Sequence, residues 1–410
     1  MSAHTSVVEQ PRLEHHGSVQ TESSPQFQAG DVIAVSAAHA LHDLYQGFLP
    51  PLLPHFIARL SLSNAEAGLL AAALDTPSLL QPLIGHWADR VDLRVLVIVG
   101  PAVTAVMMSL LGIAPSYGVL VLLLSVAGVS RAGFHAVGPA VAGRLSGRRL
   151  GRGMGFWMVG GQLGPALGPI LVVSVVQIFG MRQLPWLMIF GLLGSMLLYL
   201  RLRDVSARPP TAARESFTKQ TLRAMAPLML LLTGIVCARS FMNSALSTFL
   251  PVYLTDLGAD LWYAGAALSV LQGAGMFGSL LSGALSDRWG RRAIVLAAFL
   301  SGPVFMVWFL NASGWAQMLL LALLGLTSSS TMAVFMALVQ ESFPDNRALA
   351  NSLYLALSFV IRSPVGVLVG ALSDRYGLRW TFQSSAAIFL LGAPLVWLLP
   401  VKGAATTGTT

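Results

Sequence analysis

The chain contains 410 residues, of which 55% are hydrophobic and 10% are charged, whereas about a quarter of the residues in a soluble globular domain are charged. This composition excludes a soluble enzyme and predicts an all-α membrane protein, because membrane-spanning helices need long apolar runs. One cysteine excludes a disulfide framework and a cysteine-based metal cluster within the chain. A formal net charge of +8, carried mostly by arginines in short connections, indicates membrane orientation rather than nucleic-acid binding.

The predicted elements begin with a polar segment, residues 1–30, which we expect to be a disordered cytoplasmic tail. Twelve apolar segments follow, each long enough to cross a hydrocarbon core of about 30 Å as a helix. They span residues 31–58, 64–88, 93–113, 117–143, 151–178, 183–201, 224–254, 262–285, 293–311, 315–341, 349–371 and 379–399. A basic connection, residues 202–223, divides them into two six-helix halves, residues 31–201 and 224–400, and residues 401–410 form a C-terminal tail.

The basic residues predict which side of the membrane each connection faces. The two tails and the connections on their side carry 18 lysines and arginines, against 4 on the other side. Basic residues concentrate on the cytoplasmic side of membrane proteins. We therefore expect a multi-pass protein of the bacterial inner membrane with both termini in the cytoplasm.

A short motif recurs in the two predicted halves, after the second helix of each. Its two copies lie 198 residues apart and comprise Gly85, Asp89 and Arg90, then Gly283, Asp287 and Arg288. Six-helix repeats are typical of transporters that alternate access to a central site, so we predict a gating role for the charged residues of both copies. A third copy of the pattern, from Gly370 to Arg379, falls on the other side of the membrane, and we expect it to lack that role.

These features resemble the major facilitator superfamily over the chain beyond residue 30, which implies twelve transmembrane helices in two six-helix halves. The fifth segment carries Gly160, Gly164, Pro165 and Gly168, similar to a G-x-x-x-G-P-x-x-G pattern associated in this superfamily with proton-coupled antiporters. Its residue chemistry also fits a closely packed, kinkable helix, because glycines clear one face and proline removes a hydrogen bond.

A narrower similarity rests on the His39-x-x-His42-Asp43 stretch, the Gly133-Phe134-His135 stretch and the Gln340-Glu341 pair. Together they are similar to the fosmidomycin-resistance protein branch, whose members export drugs. The chain departs from that branch at Ala136, where a proline is typical, and at several deep charges.

Five charged residues lie deep inside predicted helices: Asp43, Asp75, Arg131, Arg239 and Arg362. Each costs roughly 2.5 to 3.5 kcal/mol at the bilayer centre on insertion scales, so we expect all five to face the bundle interior. Their sum of +1 favours a solute with negative charge. The alternative is that the arginines pair internally and only hold helices together.

The superfamily resemblance implies a role for each candidate residue, since helices 1, 4, 7 and 10 line the central cavity and helices 2 and 11 meet across the halves. We predict proton coupling at Asp43 first, then Asp75, with His39 and His42 on the same helix face as Asp43. Predicted substrate-binding residues are Arg131, His135, Arg239, Asn243 and Gln272. Asp75 and Arg362 are predicted to form a gate.

These predictions describe a proton-coupled secondary active transporter that exports a small drug-like or organic-anion solute by alternating access. We expect a monomer in membrane lipid that is not an enzyme and uses no cofactor, metal or nucleic acid. An uptake or exchange carrier for a small organic anion is the alternative. An intramembrane metalloenzyme that uses His39, His42, Asp43 and His135 is disfavoured, because two deep acids stand against three arginines.

Overall fold

The structure, a computed structural model, describes residues 27–88, 90–203 and 219–400. In these ranges the chain forms α-helices, short 3₁₀ segments and one π-helical turn, with no strand. Nine candidate membrane spans occur in the described residues, and the longest of them, residues 117–179, contains two helices of 30 residues each. The predicted count of twelve spans stays a prediction. The predicted tails and most of the connection between the halves lie outside the described residues.

The N-terminal half contains eight helices: α1 (Ala29–Gln46), α2 (Leu49–Leu60), α3 (Asn64–Asp75), α4 (Gln81–Ala88), α5 (Arg94–Leu110), α6 (Tyr117–Ser146), α7 (Leu150–Phe179) and α8 (Met188–Leu202). The C-terminal half contains another eight: α9 (Lys219–Ser244), α10 (Leu250–Asp256), α11 (Leu261–Trp289), α12 (Arg291–Phe309), α13 (Gly314–Ser342), α14 (Arg347–Tyr376), α15 (Leu378–Leu391) and α16 (Ala393–Trp397). Helix α9 begins inside the predicted connection at residues 202–223.

Four of the predicted continuous segments are broken into two helices. The breaks lie between α1 and α2, α3 and α4, α9 and α10, and α15 and α16. Proline follows or occupies each break, at Pro50, Pro77, Pro251 and Pro394, and proline cannot donate the backbone hydrogen bond that continues a helix. The break after α9 is a π-helical turn, Ala245–Phe249, a feature found frequently at functional sites.

The helix ends define two faces of the bundle. The terminal face carries residues 27 and 400, where the Gln28 amide donates to the Leu145 carbonyl and Arg292 lies 4.0 Å from the Trp397 ring centroid. The opposite face carries the α2–α3, α5–α6, α7–α8, α10–α11, α12–α13 and α14–α15 connections. By the predicted orientation, the terminal face would be cytoplasmic.

The two halves are packed together on the side of the opposite face. There α3 contacts α14, α7 contacts α11 and α2 contacts α10, and one buried apolar cluster contains residues of both halves. Toward the terminal face, Gly85 and Gly283 face open space, and a second buried cluster there is confined to the N-terminal half. The bundle is therefore closed at the opposite face and open between the halves toward the terminal face.

Candidate functional site

A central cavity of about 300 Å³ lies between the two halves. Its size is at the lower end of the range for small-molecule sites. Polar side chains from both halves line it, on α1, α3, α6 and α7 of one half and α9, α11, α13 and α14 of the other. The lining includes Gln46, Asp75, Arg131, Gln162, Arg239, Asn243, Gln272, Ser328 and Arg362.

One carboxylate in the cavity joins the two halves. Arg131 on α6 places Nη1 2.6 Å from Asp75 Oδ1, and Arg362 on α14 places Nε 3.1 Å from Asp75 Oδ2. One residue further along, the Thr76 and Ser363 hydroxyls are 2.8 Å apart. Hydrogen bonds between two charged groups are about twice as strong as neutral ones. Asp75 is therefore shared by two arginines, one from each half.

Arg239 on α9 lines the same cavity but lacks a comparable partner. Its Nη2 donates to the Ser328 carbonyl at 3.3 Å, and its Nε has no hydrogen-bond partner among the described residues. The ion pairs of the described residues in this cavity are those of Asp75. The lining thus has three guanidinium groups and one carboxylate, so its described residues carry an excess of two positive charges.

Behind the cavity wall, Asp43 on α1 lies between two imidazoles. His39 Nε2 is 3.2 Å from Asp43 Oδ2, and His135 Nε2 on α6 is 3.1 Å from Asp43 Oδ1. His39 and Asp43 are buried, with 4% and 7% of their surface exposed. Gln46 Nε2 donates to Asp43 Oδ1 at 3.2 Å and also lines the cavity. The carboxylate is therefore enclosed, with one amide between it and the cavity.

The contacts of His39 define which of its ring nitrogens carries a hydrogen. His39 Nδ1 lies 2.9 Å from the Trp157 carbonyl, which only accepts, so Nδ1 carries a hydrogen. In a neutral imidazole Nε2 then has only a lone pair, and it faces the carboxylate oxygen of Asp43 at 3.2 Å. This nitrogen has no hydrogen-bond partner among the described residues. His39 and Asp43 thus form a buried pair in which a basic nitrogen faces a carboxylate.

The glycines of α7 place α1 in this arrangement. A Cβ at Gly160 would lie 2.3 Å from the Ser36 carbonyl oxygen, and one at Gly164 would lie 2.4 Å from the Ala40 carbonyl oxygen. Gly168 similarly packs on the Leu44 carbonyl, and Pro165 of the same motif lines the cavity. The motif therefore lets α7 touch the backbone of α1, which brings the Trp157 carbonyl to His39.

His42 is fully buried but takes no part in these contacts. Its ring stacks on Phe134, with centroids 4.3 Å apart, and neither ring nitrogen has a hydrogen-bond partner among the described residues. The structure therefore places His42 beside His135, with ring centroids 5.8 Å apart, but outside the polar contacts of the His39, Asp43 and His135 group.

His39, Asp43 and His135 are also the described residues whose spacing could suit a metal ion. Their donor atoms lie within 4.8 Å of one another. The two histidines, however, face different oxygens of the carboxylate, so each nitrogen is paired with its own acceptor instead of converging with the others on one point. This arrangement differs from a structural metal site, whose ligands surround the ion.

The predicted gating motifs differ between the copies. Asp287 lies 2.5 Å from Arg291, which also pairs with Glu341 at 2.9 Å, all within the C-terminal half. Arg288 is exposed, and Arg90 bonds His86 at 2.6 Å. Asp89 lies outside the described residues. At the terminal face, each described contact of these motifs thus joins residues of the same half.

The third copy of the motif makes a contact that the sequence interpretation did not anticipate. Asp374 on α14 accepts hydrogen bonds from the backbone amides of Asn64 and Ala65, at 2.7 and 2.9 Å. These amides belong to the first residues of α3, in the other half. At the opposite face, this motif therefore joins the two halves.

Sequence reasoning missed three further contributors to the site. Gln46 gives no signal, because a single glutamine near a helix end is common in any sequence. Trp157 contributes a backbone carbonyl, which no side-chain pattern reveals. The sharing of Asp75 by Arg131 and Arg362 depends on the rotation of three helices about their axes, which helix depth in the sequence does not give.

The fold and the cavity define a membrane transporter, and comparison with known proteins gives its family. The family model described as Major Facilitator Superfamily matches residues 35–363 and 277–409. The chain belongs to this superfamily. The predicted resemblance is confirmed, and the chain is thus a transporter of small molecules that is embedded in the membrane.

Some known proteins are similar to this chain over most of its length, and others over part of it. The Fosmidomycin resistance protein of Escherichia coli K12 is 22% identical over 391 residues, covering 93% of this chain and 96% of its own. The Multidrug resistance protein MdtG of Escherichia fergusonii is 30% identical over 167 residues, 39% of this chain and 40% of its own. A crystal structure of a bacterial homologue of the human lysosomal transporter Spinster, inward-facing and occupied, matches with a TM-score of 0.75 at 15% identity, over 91% of this chain and 97% of that one.

Proposed function

We propose that the protein is a proton-coupled exporter of small organic anions that works by alternating access. In this proposal it acts as a monomer in the bacterial inner membrane, with both termini in the cytoplasm. The terminal face would then open to the cytoplasm, and the open cavity would take up solute from that side. The predicted division into two six-helix halves supplies the two bodies that move against each other.

The observation that supports proton coupling is the buried contact between His39 and Asp43. Nδ1 of His39 donates to the Trp157 carbonyl, and its Nε2 faces Asp43 without a hydrogen-bond partner among the described residues. A proton placed between this nitrogen and the carboxylate would give both groups a partner. We assign proton binding to Asp43 with His39, and we assign His135 to the support of the carboxylate.

Arg239 supports a negatively charged solute. A buried guanidinium without a carboxylate partner is costly in a membrane protein unless it serves a ligand or a pathway. Asn243, Gln272 and Ser328 lie in the same lining and can donate hydrogen bonds to an anionic group. The names of the fosmidomycin-resistance and multidrug-resistance relatives support export as the direction.

Asp75 and Arg362 support a gate at the closed end of the cavity. A solute anion that binds Arg362 would compete with Asp75 and weaken a contact between the halves. Arg131 would then retain Asp75 within the N-terminal half. The solute would thereby favour opening of the opposite face, which is the step that export requires.

Flux into proteoliposomes tests this proposal. Vesicles with an acidic interior should accumulate an anion against its gradient, because protons leaving the vesicle drive the exchange. Fosmidomycin, benzoate and phenylphosphonate would serve as the solutes, with protein-free vesicles as the control for passive entry of weak acids. Loss of accumulation for every solute at every imposed gradient would contradict the proposal.

A second candidate, proton-driven uptake of an organic anion, is favoured by one observation. Asp75 pairs with both Arg131 and Arg362, so protonation of Asp75 would release two arginines to an anion. Proton and anion would then bind together and travel in one direction. In that case, vesicles with an acidic exterior would accumulate the solute beyond the protein-free control, and those with an acidic interior would not.

A further inference from the structure

The segment from Gly370 to Arg379 repeats the terminal-face motif at the opposite face, and neither the cavity nor the proton pair accounts for it. Its carboxylate, Asp374, accepts from the backbone amides of Asn64 at 2.7 Å and Ala65 at 2.9 Å. Asp374 belongs to α14 of the C-terminal half, whereas both amides belong to α3 of the N-terminal half. The contact therefore exists only while the two halves meet at this face.

The capping of α3 is divided between the two halves. The first amides of a helix have no partner within it. Ser63 accepts from the Glu66 amide, and Glu66 Oε2 accepts from the Ser63 amide in return, which is a capping box formed within the N-terminal half. The amides of Asn64 and Ala65 are left to Asp374. A carboxylate also suits the positive end of the helix dipole.

Close backbone packing surrounds this cap. A Cβ at Gly370 would lie 2.3 Å from the Asn64 carbonyl oxygen, and one at Gly68 would lie 2.8 Å from the Gly366 carbonyl oxygen. Gly366, Gly370 and Asp374 follow one another at intervals of four residues, so they share one face of α14. This face of α14 packs against α3 from the first residue of α3 inward, toward the contact between Asp75 and Arg362.

The corresponding carboxylate at the open face behaves differently. Asp287 pairs with Arg291, which pairs with Glu341, and all three belong to the C-terminal half. Among the described residues, the motif thus bridges the halves at the face that is closed, whereas the copy that contains Asp287 stays within one half at the face that is open. This difference links the contact of Asp374 to the access state rather than to the folding of α14.

The geometry points to Asp374 as a state-dependent helix cap that holds the opposite face closed. When that face opens, the amides of Asn64 and Ala65 lose the carboxylate and are exposed to water. Asp374 therefore stabilises the closed state relative to the open one. This role is independent of proton binding and of the solute.

Spin labels at Ser116 and Leu257, in connections of the two halves at the opposite face, measure the opening in a Cys237→Ser background. Both positions are exposed. Asp374→Ala should lower the ratio of the short-distance to the long-distance population by about 5-fold, which is typical for loss of a helix cap, within a range of about 2- to 30-fold. Asp374→Asn, which keeps one acceptor oxygen, should give a smaller shift in the same direction.

Ser63→Ala is the matched control, because it removes a cap from the same helix end within one half. It should lower the thermal stability of the protein without changing the two distance populations. The inference is overturned if Asp374→Ala leaves the populations unchanged, or if Ser63→Ala shifts them equally. Both readouts are made without solute, so they do not depend on the proposed transport.

Discussion

The two halves of the bundle hold different kinds of charge. In the N-terminal half, the deep carboxylates Asp43 and Asp75 each have two partners, from imidazoles or arginines. In the C-terminal half, the carboxylates of the described residues lie near helix ends, while Arg239 and Arg362 lie deep. We therefore propose that the N-terminal half exchanges a proton and that the C-terminal half attracts an anion.

In the proposed function, the two halves therefore bind different species, the proton in one half and the anion in the other. A proton site and an anion site in one half would move together when the halves rock. Placed in different halves, they are joined through Asp75, whose carboxylate contacts Arg131 and Arg362 at once. Substitutions that move charge between the halves should therefore be more harmful than those that weaken one site.

The largest effect is expected from exchanging the charges of the pair between the halves. Asp75→Arg combined with Arg362→Asp would restore a simple ion pair, but here it would place the new guanidinium beside Arg131. Like charges in a poorly solvated site repel strongly, so we expect loss of transport in the flux assay. Adding Arg131→Gln should recover part of the activity. Full activity of the two-residue exchange would show that Arg131 does not share the carboxylate.

Removal of the Arg239 charge, which has no carboxylate partner among the described residues, should mainly lower the affinity for solute. Arg239→Gln should weaken solute binding by about 10- to 100-fold, because a hydrogen bond to a charged group contributes roughly 1.5 to 3 kcal/mol. Isothermal titration with the transported anion measures the change. Arg223→Gln, on an exposed position of the same helix, should leave affinity unchanged. Equal affinity in both variants would remove Arg239 from the solute site.

A smaller effect is expected from substitution of a glycine in α7, because the packing of α7 against α1 forms the proposed proton site. Gly164→Ala forces α7 away from α1, since the new Cβ would lie 2.4 Å from the Ala40 carbonyl oxygen. Overpacking of this kind costs roughly 1 to 3 kcal/mol, so the variant should unfold at lower temperature. Gly155→Ala, on the same helix with open space around it, should be neutral or stabilising. A stable Gly164→Ala protein would contradict close contact between the helices.

The sequence predicted the features that follow from the free-energy cost of a charge in lipid, from the family resemblance and from side-chain size. Deep charges such as Asp75 and Arg239 are costly in lipid, so their inward position follows from their depth along the helix. The closeness of Asp75 and Arg362 followed from the family resemblance, which supplies the order of helices in the bundle. The glycine motif of α7 predicted close packing because glycine has no side chain to separate two backbones.

The features that the sequence did not predict depend on the rotation of each helix about its axis and on contacts of backbone groups. Depth along a helix does not determine which way a side chain points, so the sharing of Asp75 with Arg131 was not predictable. The Trp157 carbonyl that sets the hydrogen position on His39 belongs to the backbone. The cap that Asp374 forms on α3 depends on which face is closed, a property of the access state that periodicity does not reveal.

The central claim is that Asp43 couples solute movement to a proton gradient. Proteoliposomes containing Asp43→Asn should keep solute exchange without a gradient but lose accumulation driven by one, because asparagine keeps the shape of the side chain and cannot bind the proton. Asp31→Asn, at the end of the same helix, should retain both activities. Gradient-driven accumulation at the wild-type level in Asp43→Asn would contradict the claim.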